Sequence, residues 1–170
     1  MLQLLAKASL RIRSLQVPTV ACVQGAAVGG GCGLMIVCDF AYTHPESKVG
    51  FPEVDLGVCP AVVAPWLIKK IGAGRARAML LAGGTMTGLQ GFHAGLVTHV
   101  CDKESLYEDA FAFAQNLALG GKDAMAVTKQ WLSELDGSLD EKIFMKAANL
   151  SADIIAGEEA QTRLKPLYNK

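Results

Sequence analysis

Apolar residues near the start of the chain fall at Leu2, Leu5, Ala6, Leu10 and Ile12, the spacing of an amphipathic helix over 2–15. Pro18 ends that pattern. The uncharged, β-branched run at 19–23 predicts a buried strand. A glycine-rich turn follows, then a short apolar helix over 33–39 and a second strand over 40–45. Residues 48–57 predict a loop holding a short strand. Helical spacing returns at 63–72 and 74–84, stopped by Gly72 and by Gly83 and Gly84. Residues 89–100 predict a short helix, a break at Gly95 and a strand. The remainder is helical, over 104–121, 122–135, 139–157 and a last short helix with a polar tail at 158–170. Leu106, Ala110, Phe113, Ala114 and Leu117 share one face of the first of these. The pattern predicts an α/β fold with a helical C-terminal half.

One stretch does not fit ordinary periodicity. Four of the five residues from Gly29 to Gly33 are glycine. Each costs about 0.5–1 kcal/mol relative to alanine inside a helix. A strand, a glycine turn and a helix can present backbone N–H groups at a helix N-terminus, which suits a phosphate or a developing oxyanion. The dinucleotide fingerprint fails because Leu34 stands where its third glycine would be. The P-loop fails because no lysine with Ser or Thr follows. Close packing of the helix on a strand is the alternative explanation of the glycines.

Composition narrows the class. The 170 residues suffice for one cored domain, 51% hydrophobic and 19% charged. Sixteen basic residues balance sixteen acidic ones, so net charge gives no case for nucleic acid or an anionic membrane. Five cysteines, an odd number without a CxxC pair, suggest free thiols in a reducing compartment. Residues 14–38 carry no charge, but Gln16, Pro18, Gln24 and five glycines interrupt them, against a membrane span. The basic, acid-free start resembles a transit peptide and equally suits an ordinary amphipathic helix.

Candidate chemistry is sparse. Glu53 follows Pro52 in a charge-poor segment. Taken alone it favours an exposed turn carboxylate, with partial burial and a raised pKa the alternative. Asp55 reads as an exposed turn residue. His44, His93 and His99 show neither metal-ligand spacing nor a triad arrangement, and read as surface or packing residues. Trp66 and Trp131 lie on apolar helical faces and read as core.

Residues 18–42, "PTVACVQGAAVGGGCGLMIVCDFAY", precede "FPEVDLGVCPA" at 51–61, then the segment 71–100 and "EEAQTRLKP" at 158–166. In this order they resemble the crotonase superfamily, the enoyl-CoA hydratases and isomerases. The "GVCPAVVAPW" segment is similar to methylglutaconyl-type hydratases. The resemblance implies a crotonase-like β–β–α spiral core, incomplete at its N-terminal side, over 1–100, and a helical trimerisation region over 101–170. It implies that Gly30 N–H polarises a thioester carbonyl and that Glu53 handles the proton or water. It places Ala26, Val28, Gly29, Gly31, Pro60 and Ala61 around the bound acyl-CoA.

Further implications follow from the same resemblance. Coenzyme A enters as the substrate's carrier, with no other cofactor and no metal. The assembly is a homotrimer or hexamer, in the cytoplasm or, in a eukaryote, the mitochondrial matrix. The family's hydratases commonly use two glutamates, and the second would fall at Gly33. Some hydratase-like branches keep only the Glu53 acid, while single-carboxylate isomerases move a proton from the α- to the γ-carbon. Dienoyl-CoA isomerases carry acids where this chain has Gly33 and Ala61, which sets them aside. A non-catalytic acyl-CoA-binding or partner subunit is the remaining alternative. Lys165 is a candidate for CoA phosphate, with a solvated tail lysine the simpler expectation. The family domain begins well upstream of Met1, with early strands, a second oxyanion N–H and much of the CoA loop. A fragment is therefore expected, with a short paralogue or a site completed by a partner as alternatives.

Overall fold

The computed structural model describes residues 1–168, so the last two residues of the predicted tail lie outside the described residues. Helix α1 (Leu2–Arg13) leads through Pro18 into strand β1 (Val20–Val23). Strand β2 (Ala26–Val28) occupies what the sequence predicts as a plain turn. Three residues are too few to show alternation, and pairing with β4 (Lys48–Gly50) makes them a strand. Helix α2 (Gly30–Val37) starts three residues before its predicted start, because Gly30 and Gly31 form its first turn. Strand β3 (Phe40–Thr43) follows.

After β4, a 3-10 turn spans Val54–Leu56. Helices α3 (Ala64–Ile71) and α4 (Ala73–Ala82) come next. Strand β5 (Thr85–Thr87), absent from the sequence reading, runs antiparallel to β4. Helix α5 (Gly88–Ala94) carries a capping box from Thr87 and Gln90 and ends at Gly95, in the left-handed region at φ 86°. Strand β6 (His99–Val100), α6 (Leu106–Leu117), α7 (Lys122–Leu135), α8 (Glu141–Ala156) and α9 (Glu158–Tyr168) complete the described chain.

The strands form two small sheets. One is parallel, in the order β1-β3-β6; the other is β2-β4-β5. Helix α2 lies between them and buries Cys32, Met35, Ile36 and Val37 in the main core with Phe51, Trp66, Leu67 and Leu96. Phe144 of α8 joins this core and stacks on Trp66, ring centroids 4.0 Å apart. Helix α1 packs along α8.

One core expectation is overturned. Trp66 is buried, but Trp131 is 57% exposed. Helix α7 faces inward through Lys129 and Ser133, and Trp131, two residues on, points about 200° away from Lys129. Lys129 is held by chemistry that apolar periodicity cannot show. Its ammonium donates to Asp39 at 2.7 Å and to the Val17 carbonyl at 2.8 Å. Asp39 also accepts from Thr19 N–H and Oγ1 and lies 3.5 Å from the Arg13 guanidinium.

Candidate active site

Strand β2 delivers the chain to Gly29, at φ 57° and ψ −123°, a conformation that favours glycine. Gly29 N–H donates to the Gly50 carbonyl on β4 at 2.8 Å, which fixes the corner. Helix α2 begins at Gly30, and its first internal bond runs from Gly33 N–H to the Gly29 carbonyl. The N–H groups of Gly30, Gly31 and Cys32 therefore precede the first internal acceptor. No acidic residue occupies this first turn and no side chain caps it. No residue of the helix's own first turn offsets the positive end of its dipole.

Glu53 reaches this corner from the other direction, at the entrance to the 3-10 turn. A β-carbon placed on Gly29 would stand 3.2 Å from Glu53 Oε1. A side chain at Gly29 would therefore crowd the carboxyl. Glu53 is half-buried, so the favoured reading of an exposed turn carboxylate gives way to partial burial. Oε2 is enclosed without a hydrogen-bond partner. Burial pushes the carboxyl above its ordinary value, opposed in part by its own backbone N–H. A buried, under-satisfied carboxylate of this kind suits proton transfer.

The remaining glycines divide by role. A β-carbon on Gly30 would stand 3.0 Å from Leu5 Cδ2, so α1 lies over the start of α2. Gly31 is exposed and faces open space. Gly33 is buried beneath Val63 Cγ1, 2.5 Å from where its β-carbon would sit. The glycines thus admit three different neighbours: Glu53 at Gly29, Leu5 at Gly30 and Val63 at Gly33.

Ala26 is exposed and Val28 half-buried on β2, the strand that leads into the corner. Pro60 and Ala61 lie in the segment that leads into α3. The Pro60 carbonyl accepts Val63 and Ala64 N–H groups at the start of α3. Ala61 lines a cleft with Pro65, Ile68, Phe144 and Leu150, between α3 and α8. Lys165 is exposed.

Other candidate groups are packing residues. The Cys32 thiol is pushed up to about 12, chiefly by burial, and is not a nucleophile near neutral pH. His44 is buried with Nε2 3.3 Å from the Gln24 carbonyl. His99 stacks on Tyr42 at 4.3 Å between ring centroids. Among the described residues no group of three His, Cys, Asp or Glu converges on a metal position, and no helix is long and apolar enough to cross a membrane. Sequence reasoning missed Leu5, Val63 and the bond from Gly84 N–H to the Asp55 carboxylate at 2.8 Å. None of these follows from local spacing, because each contact joins distant segments.

The sequence matches the enoyl-CoA hydratase/isomerase family over residues 3–163. A Thermus thermophilus relative bearing an enoyl-CoA hydratase name is 29% identical over 160 residues, 94% of this chain and 63% of its own. The 2,3-dehydroadipyl-CoA hydratase of Escherichia coli is 32% identical over 125 residues, 73% of this chain and 49% of its own. The crystal structure of an enoyl-CoA hydratase from Mycobacterium avium superimposes with a TM-score of 0.86 at 22% identity, covering 97% of this chain and 65% of that one. The chain thus spans less than two thirds of the length of each of these proteins.

Proposed function

Because the chain belongs to the enoyl-CoA hydratase/isomerase family, with its crotonase fold, we propose that it adds water across the double bond of an enoyl-CoA thioester. The observation that carries this reading is the enclosed Glu53 carboxyl against Gly29, at the start of a helix whose first N–H groups have no internal acceptor.

In this reading Gly30 N–H holds the thioester oxygen as it becomes an enolate. One such donor is worth roughly 3–4 kcal/mol of barrier. The Glu53 carboxylate takes a proton from water while the water oxygen bonds to the β-carbon. The α,β double bond becomes the enolate. Glu53 then returns its proton to the α-carbon, the thioester carbonyl re-forms, and the product is a 3-hydroxyacyl-CoA. Proton and water balance with a single carboxylate. Coenzyme A takes part only as the carrier, and Ala26, Val28 and Gly31 line the approach.

One observation favours a second reading. Val63 fills the space at Gly33, so Glu53 has no second carboxylate from α2. An isomerase needs only one: Glu53 would remove the α-proton and return it at the γ-carbon. Mass and chromatographic analysis of product separates the two, since hydration adds water and isomerisation leaves mass unchanged. A chain that binds acyl-CoA without either change would be the non-catalytic alternative. The outward apolar residues of α7 support a homotrimeric or hexameric assembly.

A further inference from the structure

Both ends of the turn that carries Glu53 are tied to one residue. Phe51 N–H donates to the Gly84 carbonyl at 3.1 Å. Gly84 N–H donates to the Asp55 carboxylate at 2.8 Å. Residues 51 and 55 bracket Glu53, so Gly84 closes the segment into a ring at the corner between α4 and β5. That corner is shaped for the contact. Gly83, at φ 69°, brings the chain so near that a β-carbon there would stand 2.6 Å from Asp55 Oδ1 and 2.8 Å from Val54 Cγ2. Helix α9 adds a second tie, from Arg163 to the Asp55 carbonyl at 3.3 Å.

We propose that Asp55 is a positioning residue for Glu53: by accepting Gly84 N–H it closes the turn and holds the Glu53 carboxyl against Gly29. The inference deepens the proposed function and rests on it for its kinetic consequence, but not for its geometric one. Asp55 is exposed and does not touch Gly29, so it acts through the backbone. The charged or titratable groups around the turn are Asp55 itself, Arg163 and Glu159 on α9, and the buried Cys32 thiol on α2, which feels the Glu53 charge.

The test is a titration of glutamate side-chain carboxyls by carbon-13 NMR, with Glu53 assigned by its loss in Glu53→Gln. Asp55→Ala removes the acceptor. Asp55→Asn keeps an acceptor oxygen and removes only the charge. The expected result is a Glu53 midpoint above the ordinary carboxylate value in the parent chain, unchanged in Asp55→Asn, and returned toward the ordinary value in Asp55→Ala as solvent enters. Gly84 amide exchange rises in the alanine variant alone. Turnover in Asp55→Ala falls about 10–100-fold in kcat, with KM within about threefold. Asp55→Asn stays near the parent. A midpoint unmoved in Asp55→Ala overturns the proposal. So does an equal shift in both variants, which would make Asp55 a nearby charge and not an anchor. If the titrations behave as expected and the parent chain shows no turnover, the proposed function fails and the positioning role stands.

Discussion

Val63 occupies the space that a side chain on Gly33 would need, its Cγ1 2.5 Å from the missing β-carbon. The position where two-carboxylate relatives are expected to carry an acid is therefore a packed helix–helix contact. Gly33→Ala is expected to destabilise the chain by about 1–3 kcal/mol, because a buried valine cannot swing aside. Val63→Ala destabilises alone as well, by opening a cavity. Together the two cost less than their sum, with a coupling of about 0.5–3 kcal/mol in urea denaturation. Strict additivity would show that the contact does not exist in solution.

Glu53 weakens the fold near neutral pH. Burial raises its folded-state pKa above the ordinary 4.5. A raised value favours the protonated form in the folded state. The associated stability is fully present below the unfolded value and is lost as pH rises through the folded one. Glu53→Gln mimics the protonated carboxyl at every pH. It should therefore melt above the parent chain at pH 7–8 and together with it in acid below the unfolded value. Matching melting curves at both pH values would mean that the carboxyl is solvated.

The cluster around Asp39 predicts a different response. Asp39 faces Lys129 and Arg13, and Lys70 close by has its pKa lowered, first by burial and then by Arg13. Asp39→Ala leaves partly buried cations without their carboxylate and should cost about 3–5 kcal/mol. Lys129→Met removes one cation and leaves Asp39 with Thr19 and Arg13, so it should cost less. Chemical denaturation of the two variants gives the order directly, and the reverse order would contradict the network.

Helix α7 presents Val127, Trp131 and Leu135 outward, one helical turn apart and 67%, 57% and 64% exposed. An assembly through this face predicts a mass above the monomer in light scattering at micromolar concentration. Trp131→Glu should lower that mass while leaving the circular dichroism spectrum unchanged. A monomeric parent chain would count against the assembly.

Much of the fold is legible in the sequence, for stated reasons. Helices α1, α3, α4 and α6–α8 carry apolar stripes, and Gly72, Gly83 and Gly95 mark the ends of α3, α4 and α5. Strands β1 and β3 are short uncharged runs. Strands β2 and β5 were not legible, because three-residue strands exist only through their partners on β4. Trp131 misleads because periodicity identifies an apolar face without saying whether anything covers it. At the site, Gly30 and Glu53 stood out as residue types in an unusual setting. The approach of Glu53 to Gly29, Val63 under Gly33, and the double tie of Gly84 to Phe51 and Asp55 depend on contacts between segments far apart in the chain. A lone carboxylate after Pro52 favours an exposed turn, whereas the β2–α2 corner lies against it and one of its oxygens is enclosed.

The most direct measurement is the conjugated-thioester absorbance of short and branched enoyl-CoAs incubated with the 170-residue chain and with Glu53→Gln. The expected result is loss of absorbance with the parent chain, formation of a 3-hydroxyacyl-CoA, and a fall of about 10²–10⁴-fold in the variant. Absorbance that stays constant with the parent chain, or that falls at the same rate in both, would contradict the assignment of Glu53 as the proton-handling group.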